Sequence, residues 1–360
     1  MLVNIQFLRF AAAMLVVLFH EAAHLRATGH EAGWLFGFGA RAGFAGVDLF
    51  FVISGFIMAW TTQNETGPAD AWRFARRRVA RIYSGYWPFC LLALLVFAVT
   101  DPARLTRIDL PGSLVLWPIS MPKMLIPVAW TLVFEMIFYT AFTLAIAVGG
   151  RRRAGLIGVA FVVVLALALY NQFIVQAWSP ENIGRRSLAA AYGFSPYLVE
   201  FLAGAVLAYV LRRPGGSALF GWGLLAVGAA AYSAGGWINA EVFDGRIGQG
   251  YFVFWRVAVF GTAGVLIVAG LVRLDQAGIS APARFSLATG GASYAIYLSH
   301  TLVLEATRGA GLNAWLGGRP AWLAQATFIA LAVAILWTCV TYYQRLERPL
   351  HKLFRRALRV

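Results

Sequence analysis

The stretch Asn4-Ile-Gln-Phe-Leu-Arg9-Phe-Ala-Ala-Ala-Met-Leu-Val-Val-Leu-Phe-His20-Glu21 places one cation and one imidazole in an otherwise apolar run. At about 100° per residue, Arg9 and His20 return to nearly the same helix face. At about 1.5 Å of rise per residue they stand roughly 16 Å apart along the axis. That is about half of a ~30 Å hydrocarbon core. The spacing therefore predicts Arg9 at one membrane surface and His20 near the mid-plane, on one stripe. A charge or imidazole inside a spanning segment is expensive, so by default it faces protein or a water-filled cavity and marks a functional site. Two plainer readings compete. A lone polar residue glues helices together through a hydrogen bond. A basic residue followed by an apolar run also imitates a cleaved signal peptide, although no clear small-x-small cleavage site follows it here.

Composition sets the class. Of 360 residues, 60% are hydrophobic and 12% charged, against about 25% charged in soluble domains. Mean hydropathy is +0.71. This predicts an all-α, polytopic membrane protein, with residues 1–343 as one transmembrane domain, residues 344–360 as a basic cytoplasmic tail, and no large soluble domain appended. The two cysteines, Cys90 and Cys339, both lie in apolar runs with neither metal-type spacing nor a disulfide framework. A net charge of +15 would suit nucleic acid in a soluble protein. In a membrane protein it reflects Lys and Arg in cytoplasmic loops facing anionic headgroups, so nucleic acid is not expected as a partner.

The hydropathy pattern reads as ten spans, near 7–26, 43–62, 85–100, 128–149, 154–172, 195–211, 218–236, 251–272, 290–308 and 320–343. With the N-terminus in the cytoplasm, most of the basic residues fall inside: Arg9, the cluster from Arg73 to Arg81, Arg151 to Arg153, Arg212, Arg213, Arg273, Arg284, and the tail from Arg345 to Arg359. The positive-inside rule thus places both termini in the cytoplasm. The outward segment 101–127, with five prolines, is no single helix. It reads as a structured cap or a partly re-entrant loop. The loop at 237–250, with Glu241 and Asp244, is a second outward segment suited to a polar ligand.

Four constellations bear on chemistry. In Arg73-Phe-Ala-Arg76-Arg77-Arg78-Val-Ala-Arg81-Ile-Tyr83, Arg78 and Arg81 are three apart and share a helix face. Two guanidiniums so placed form a fork for phosphate oxygens. Arg73 and Arg76 read as an ordinary basic anchor. In Gly46-Val-Asp48-Leu-Phe-Phe-Val-Ile-Ser54-Gly55-Phe56, Asp48 stands near the outer end of its helix, to hold a cation or hydroxyl or simply to cap it. Ser54 and Gly55 are the small residues close helix packing wants. In Trp130-Thr-Leu-Val-Phe-Glu135-Met-Ile-Phe-Tyr139, Glu135 comes to a depth similar to that of His20. An imidazole beside a carboxylate is a common general base, on the assumption that the two helices touch. Ser293-Tyr-Ala-Ile-Tyr297-Leu-Ser-His300 brings a second histidine to mid-depth, to line a cavity or to glue helices. Finally, His20-Glu21-Ala-Ala-His24 matches the H-E-x-x-H pattern of zinc sites, but no later Leu-Asp-Gly motif supplies a third ligand.

Taken in order, these motifs resemble the acyltransferase type 3 family of bacterial membrane O-acyltransferases. Arg9 and His20 match its Arg-x10-His pair. The Gly46 to Phe56 stretch looks like its helix-two signature. Arg78-x-x-Arg81-Ile-Tyr is similar to its Arg-x-x-Arg motif, Trp130-Thr-Leu-x-x-Glu135 to its Trp-Ser/Thr-Leu-x-x-Glu motif, and the Ser293 to His300 stretch and Glu347-Arg-Pro349 complete the series. Ser84 departs from the family's usual proline. The resemblance implies a multi-pass protein of the bacterial inner membrane that moves an acyl group, commonly acetyl, from cytoplasmic acyl-CoA to a hydroxyl of a surface or exported glycan or glycolipid. No bound cofactor or metal is implied, since acyl-CoA is a co-substrate. Under that reading His20 and Glu135 are catalytic, Arg9, Arg78 and Arg81 hold the donor, and Asp48, Trp130, Tyr139, Tyr297 and His300 line the acceptor site or cavity. Two rivals stand beside it: an intramembrane zinc protease using His20, Glu21 and His24, and a proton-coupled glycan or lipid transporter.

Overall fold

The computed structural model describes residues 2–176, 188–193, 195–212, 215–250 and 252–360. Arg213, expected in an inward loop, and Tyr251, at the start of the eighth expected span, lie outside these. The described residues form helices and no strand. The principal ones are α1 (Val3–Ala27), α2 (Trp34–Ala42), α3 (Gly46–Thr61), α4 (Gly67–Thr100), α5 (Trp130–Gly149), α6 (Arg153–Phe173), α7 (Tyr197–Val210), α8 (Ala218–Glu241), α9 (Thr262–Gln276), α10 (Ala283–Gly309), α11 (Ala321–Tyr342) and α12 (Arg348–Ala357). Among the described residues nine helical stretches are long and apolar enough to cross a membrane. The ninth expected span, 290–308, lies in α10, which at 27 residues has the length but not the apolarity. The reason is its position. It packs against α1, α4 and α11, and Ser286, Thr289, Ser293, Ser299 and His300 are all buried. A helix surrounded by protein has no need of an apolar exterior.

The basic cluster is not the loop that a span starting at residue 85 implied. It forms the first half of α4, a single 34-residue helix. Alanine and arginine are strong helix formers, and Pro68 stands in the first turn, where a missing N–H costs nothing. At about 1.5 Å per residue α4 is roughly 51 Å long, so its arginine half extends well past a ~30 Å hydrocarbon layer.

The proline-rich segment 101–127 is broken into short turns and folds back along α4. Tyr83, Tyr86 and Trp87 of α4 donate to the carbonyls of Val115, Ser113 and Leu114 at 2.9, 3.0 and 3.1 Å. Those donors lie roughly 20–25 Å by helix rise from the Thr100 end of α4. Irregular backbone is tolerated at such depth only where protein satisfies its polar groups. These three side chains do so.

Close approach of α3 and α7 sets the middle of the bundle. A Cβ on Gly55 would stand 1.8 Å from the Phe201 carbonyl oxygen, and one on Gly204 2.0 Å from that of Val52. Only glycine allows this contact, as small residues do at membrane helix crossings. Beside it lies a buried ion pair. Arg256 donates from Nε to both oxygens of Asp48 at 3.0 Å and from Nη2 to Oδ2 at 2.7 Å. A further Nη2 bond reaches the Phe44 carbonyl at 3.1 Å.

Removing one partner of such a pair strands a buried charge, at a typical cost of about 3–5 kcal/mol, whereas replacing both with apolar groups is often neutral. Asp48→Leu is therefore expected to destabilise the detergent-solubilised protein strongly, and Asp48→Leu with Arg256→Met to recover most of the loss. Thermal unfolding of the two variants checks this; equal destabilisation by both would contradict it.

Candidate active site

α1 carries Arg9 and His20 to two different cavities. The first, of about 140 Å³, is lined by Arg9, Arg78, Arg81, Glu135, Tyr139 and Tyr294, with Ser54 and Ser293 also in its wall. The second, of about 690 Å³, is lined by His20, Trp130, Tyr192, Tyr197, Arg256, Thr301 and Glu305, with Ser120 and Met121 of the proline-rich segment and Gln249 also in its wall. Val47 and Tyr297 line both and so form a partition between them. The Tyr297 hydroxyl donates to the Val128 carbonyl at 3.0 Å and accepts from Thr131 at 3.1 Å. These bonds hold the ring in place.

In the arginine cavity the three guanidiniums differ. Arg81 is paired with Glu347 at 2.6 Å, and that carboxylate is fully buried. Its guanidinium also lies over the Tyr294 ring at 5.4 Å. Arg9 makes a long bond of 3.3 Å to Gln6. Arg78 lies over Phe74 and Tyr139, 4.9 and 5.5 Å from the ring centroids, and its Nε is buried without a hydrogen-bond partner. Glu135 accepts from Tyr139 at 2.7 Å and from Ser54 at 3.4 Å. Three cations thus face the Glu135 carboxylate, with Glu347 behind Arg81. The surplus of positive charge, held on rigid helices, suits a phosphate-bearing anion.

The sequence expectation that Glu135 stands beside His20 is not met. Glu135 belongs to the arginine cavity, and helical depth gave no information about which helix faces which. The partner of His20 is instead His300: His20 Nδ1 lies 3.1 Å from His300 Nε2 and 2.9 Å from the Val16 carbonyl. His300 is fully buried behind His20 and lines neither cavity. Asp48 also departs from its expected place on a cavity wall. It is fully buried and committed to Arg256, and it is Arg256 that reaches the histidine cavity. Trp130 lines that cavity, Tyr139 the arginine cavity, and Tyr297 both.

The H-E-x-x-H residues do not converge. His20 turns to His300, His24 lies 3.3 Å from Asn313, and both Glu21 oxygens are buried without a partner. Among the described residues no three His, Cys, Asp or Glu side chains come together as a metal site. Several residues of the site went unread in the sequence, among them Arg256, Glu347 and Thr301. Arg256 carried a usable signal, a lone cation at the start of an apolar span. Glu347 was visible only as part of a motif with no role attached. Thr301, whose hydroxyl is buried without a partner in the histidine cavity, carried none, because an isolated threonine in a helix is unremarkable.

Comparison with known proteins agrees with this architecture. A family model described as an acyltransferase domain matches residues 2–343. The chain is 28% identical over 354 residues to an exopolysaccharide production protein, ExoZ, of Rhizobium meliloti, covering 93% of this chain and 94% of that one. It is 25% identical over 324 residues to acyltransferase MdmB of Streptomyces mycarofaciens, covering 83% and 78%. No solved structure gives a significant match. The chain belongs to this acyltransferase family and is a multi-pass membrane transferase of acyl groups other than aminoacyl groups.

Proposed function

We propose that this membrane acyltransferase moves an acyl group, acetyl foremost, from cytoplasmic acyl-CoA to a hydroxyl of a surface or exported glycan, at the inner membrane of a bacterium. The observation that carries the reading is the division of labour along α1. Arg9 lies in a cationic cavity and His20 in a larger aromatic one, and the two share Val47 and Tyr297 as a common wall. The arginine cavity is the donor end. Arg78 and Arg9 are free to take phosphate oxygens, and Arg81 shares its charge with Glu347. The acyl-pantetheine arm runs from there toward Tyr297. The cationic cavity is at the basic, cytoplasmic end of the bundle, as the distribution of arginines supports.

The histidine cavity is the acceptor end. Trp130, Tyr192 and Tyr197 offer aromatic faces for sugar rings, while Ser120, Gln249 and Glu305 offer polar edges for hydroxyls. The name of the Rhizobium relative, an exopolysaccharide production protein, supports a glycan acceptor. In the reaction His20 takes the proton of the acceptor hydroxyl as its oxygen attacks the thioester carbonyl carbon. The carbon–sulfur bond breaks, and the departing CoA thiolate takes the proton back from His20. Glu135 holds Tyr139 and Ser54 and spaces the donor arginines. It is not the partner of the base.

General-base help from a histidine is typically worth about 10²–10⁴-fold. His20→Ala is expected to lose transfer by that factor with acyl-CoA binding intact, while His24→Ala, whose side chain contacts Asn313, changes it little. The comparison is made in membranes at matched expression. Robust transfer by His20→Ala, or equal loss in both, would remove His20 as the base. At the donor end, Arg78→Ala with Arg81→Ala should abolish measurable CoA binding to the purified protein, and Arg78→Lys should restore it only in part, because an ammonium lacks the bidentate fork. Unchanged CoA affinity in the double variant would refute the donor assignment.

A further inference from the structure

We infer that His300 is a positioning residue of the reaction: sharing the one Nδ1 hydrogen of His20 with the Val16 carbonyl, it orients the His20 ring in the tautomer whose basic nitrogen, Nε2, is free for the acceptor hydroxyl. The inference rests on the reading of His20 as the base. The argument is one of hydrogen-bond polarity. A backbone carbonyl only accepts. The Val16 carbonyl lies 2.9 Å from His20 Nδ1, and the Ile296 carbonyl lies 3.2 Å from His300 Nδ1. Each Nδ1 must therefore carry its hydrogen. In a neutral imidazole the other ring nitrogen is then an acceptor. His300 Nε2, 3.1 Å from His20 Nδ1, thus accepts from it. The two carbonyls, one on α1 and one on α10, polarise the pair in one sense. They leave His20 Nε2 with its lone pair, and His20 lines the acceptor cavity.

The placement of His300 fits that task and no direct one. It is fully buried and lines neither cavity, so it does not touch either substrate. Its ring centroid is 4.8 Å from that of His20 and 5.9 Å from that of Tyr297, the residue of the partition. The neighbouring Ser299 is tied to Cys339 of α11 at 3.1 Å, which fixes this turn of α10. When His20 takes the acceptor proton, its Nδ1–H bond to His300 becomes charge-assisted and strengthens. The bond therefore stabilises the protonated base more than the resting one, as differential binding requires. In serine hydrolases a carboxylate fills this position. Here the carboxylate of comparable depth, Glu135, is in the other cavity, and a neutral imidazole stands in its place.

The test uses the full-length protein in detergent or nanodiscs, with acetyl-CoA and an extracted exopolysaccharide as substrates. His300→Leu preserves bulk and removes the acceptor. It should lower kcat by about 10²-fold, the scale of a misplaced catalytic group, with little change in the KM of either substrate. His300→Gln places an amide oxygen near the lost Nε2 and should recover about a tenth or more of the wild-type rate. Wild-type rates in His300→Leu, or equal losses in Leu and Gln, would overturn the assignment. His20→Ala, run beside them, separates the two claims: if it transfers normally, the base reading fails and this inference falls with it. Nitrogen-15 NMR of histidine-labelled wild-type protein needs no variant to fold. The expected spectrum shows His20 protonated at Nδ1 and bare at Nε2, and the reverse tautomer would overturn the inference.

Discussion

The structure depends on one constraint: a charge carried into a hydrocarbon layer must face protein and find a partner there. Three arginines drawn inside this bundle obey it, each in its own way. Arg256 is held by Asp48, Arg81 by Glu347, and Arg153 by the carbonyls of Thr62 and Glu65 together with the Tyr209 hydroxyl. Against that background Arg78 is conspicuous. Its guanidinium rests on two aromatic faces with Nε unpaired, in a cavity shared with Arg9 and Arg81. Thr301 is the counterpart on the other side of the Tyr297 partition, a buried hydroxyl with no partner in the histidine cavity. Unsatisfied groups of this kind are what a polar ligand would complete.

Helix α10 is the second organising element. It falls short of the apolarity of the nine other spanning stretches, and that polarity is what it delivers. Tyr294 goes to the arginine cavity, Tyr297 to the partition, His300 to His20 and Thr301 to the histidine cavity. With α1 running alongside it, one pair of helices reaches both ends of the proposed reaction. The remaining helices set the distance between them, through contacts as tight as that of Gly55 with Phe201.

Much of this was legible in the sequence, for identifiable reasons. The spacing of Arg9 and His20 reflects helix rise, so their separation along one stripe followed from residue numbers alone. That residues 101–127 are not one long helix followed from proline chemistry. What was not legible was lateral: which helix faces which. Equal depth suggested that Glu135 meets His20, but depth is one coordinate of three, and the packing of α10 against α1 put an imidazole there instead. Asp48 was misplaced for a related cause. Its partner Arg256 is 208 residues away in sequence, beyond the reach of any local pattern. The hydropathy pattern starts the third span at residue 85, whereas the alanine and arginine of the preceding cluster carry the same helix back to Gly67.

The central claim is that donor and acceptor enter from opposite ends and meet at Tyr297. The most direct measurement is sided transfer in proteoliposomes, with protein orientation fixed by protease access to the basic C-terminal helix. Radiolabelled acetyl-CoA is supplied only on the face bearing that helix and a glycan acceptor only on the other. The account predicts labelled glycan in this arrangement and none when the two are exchanged. Transfer that proceeds equally with acetyl-CoA confined to the opposite face would contradict it.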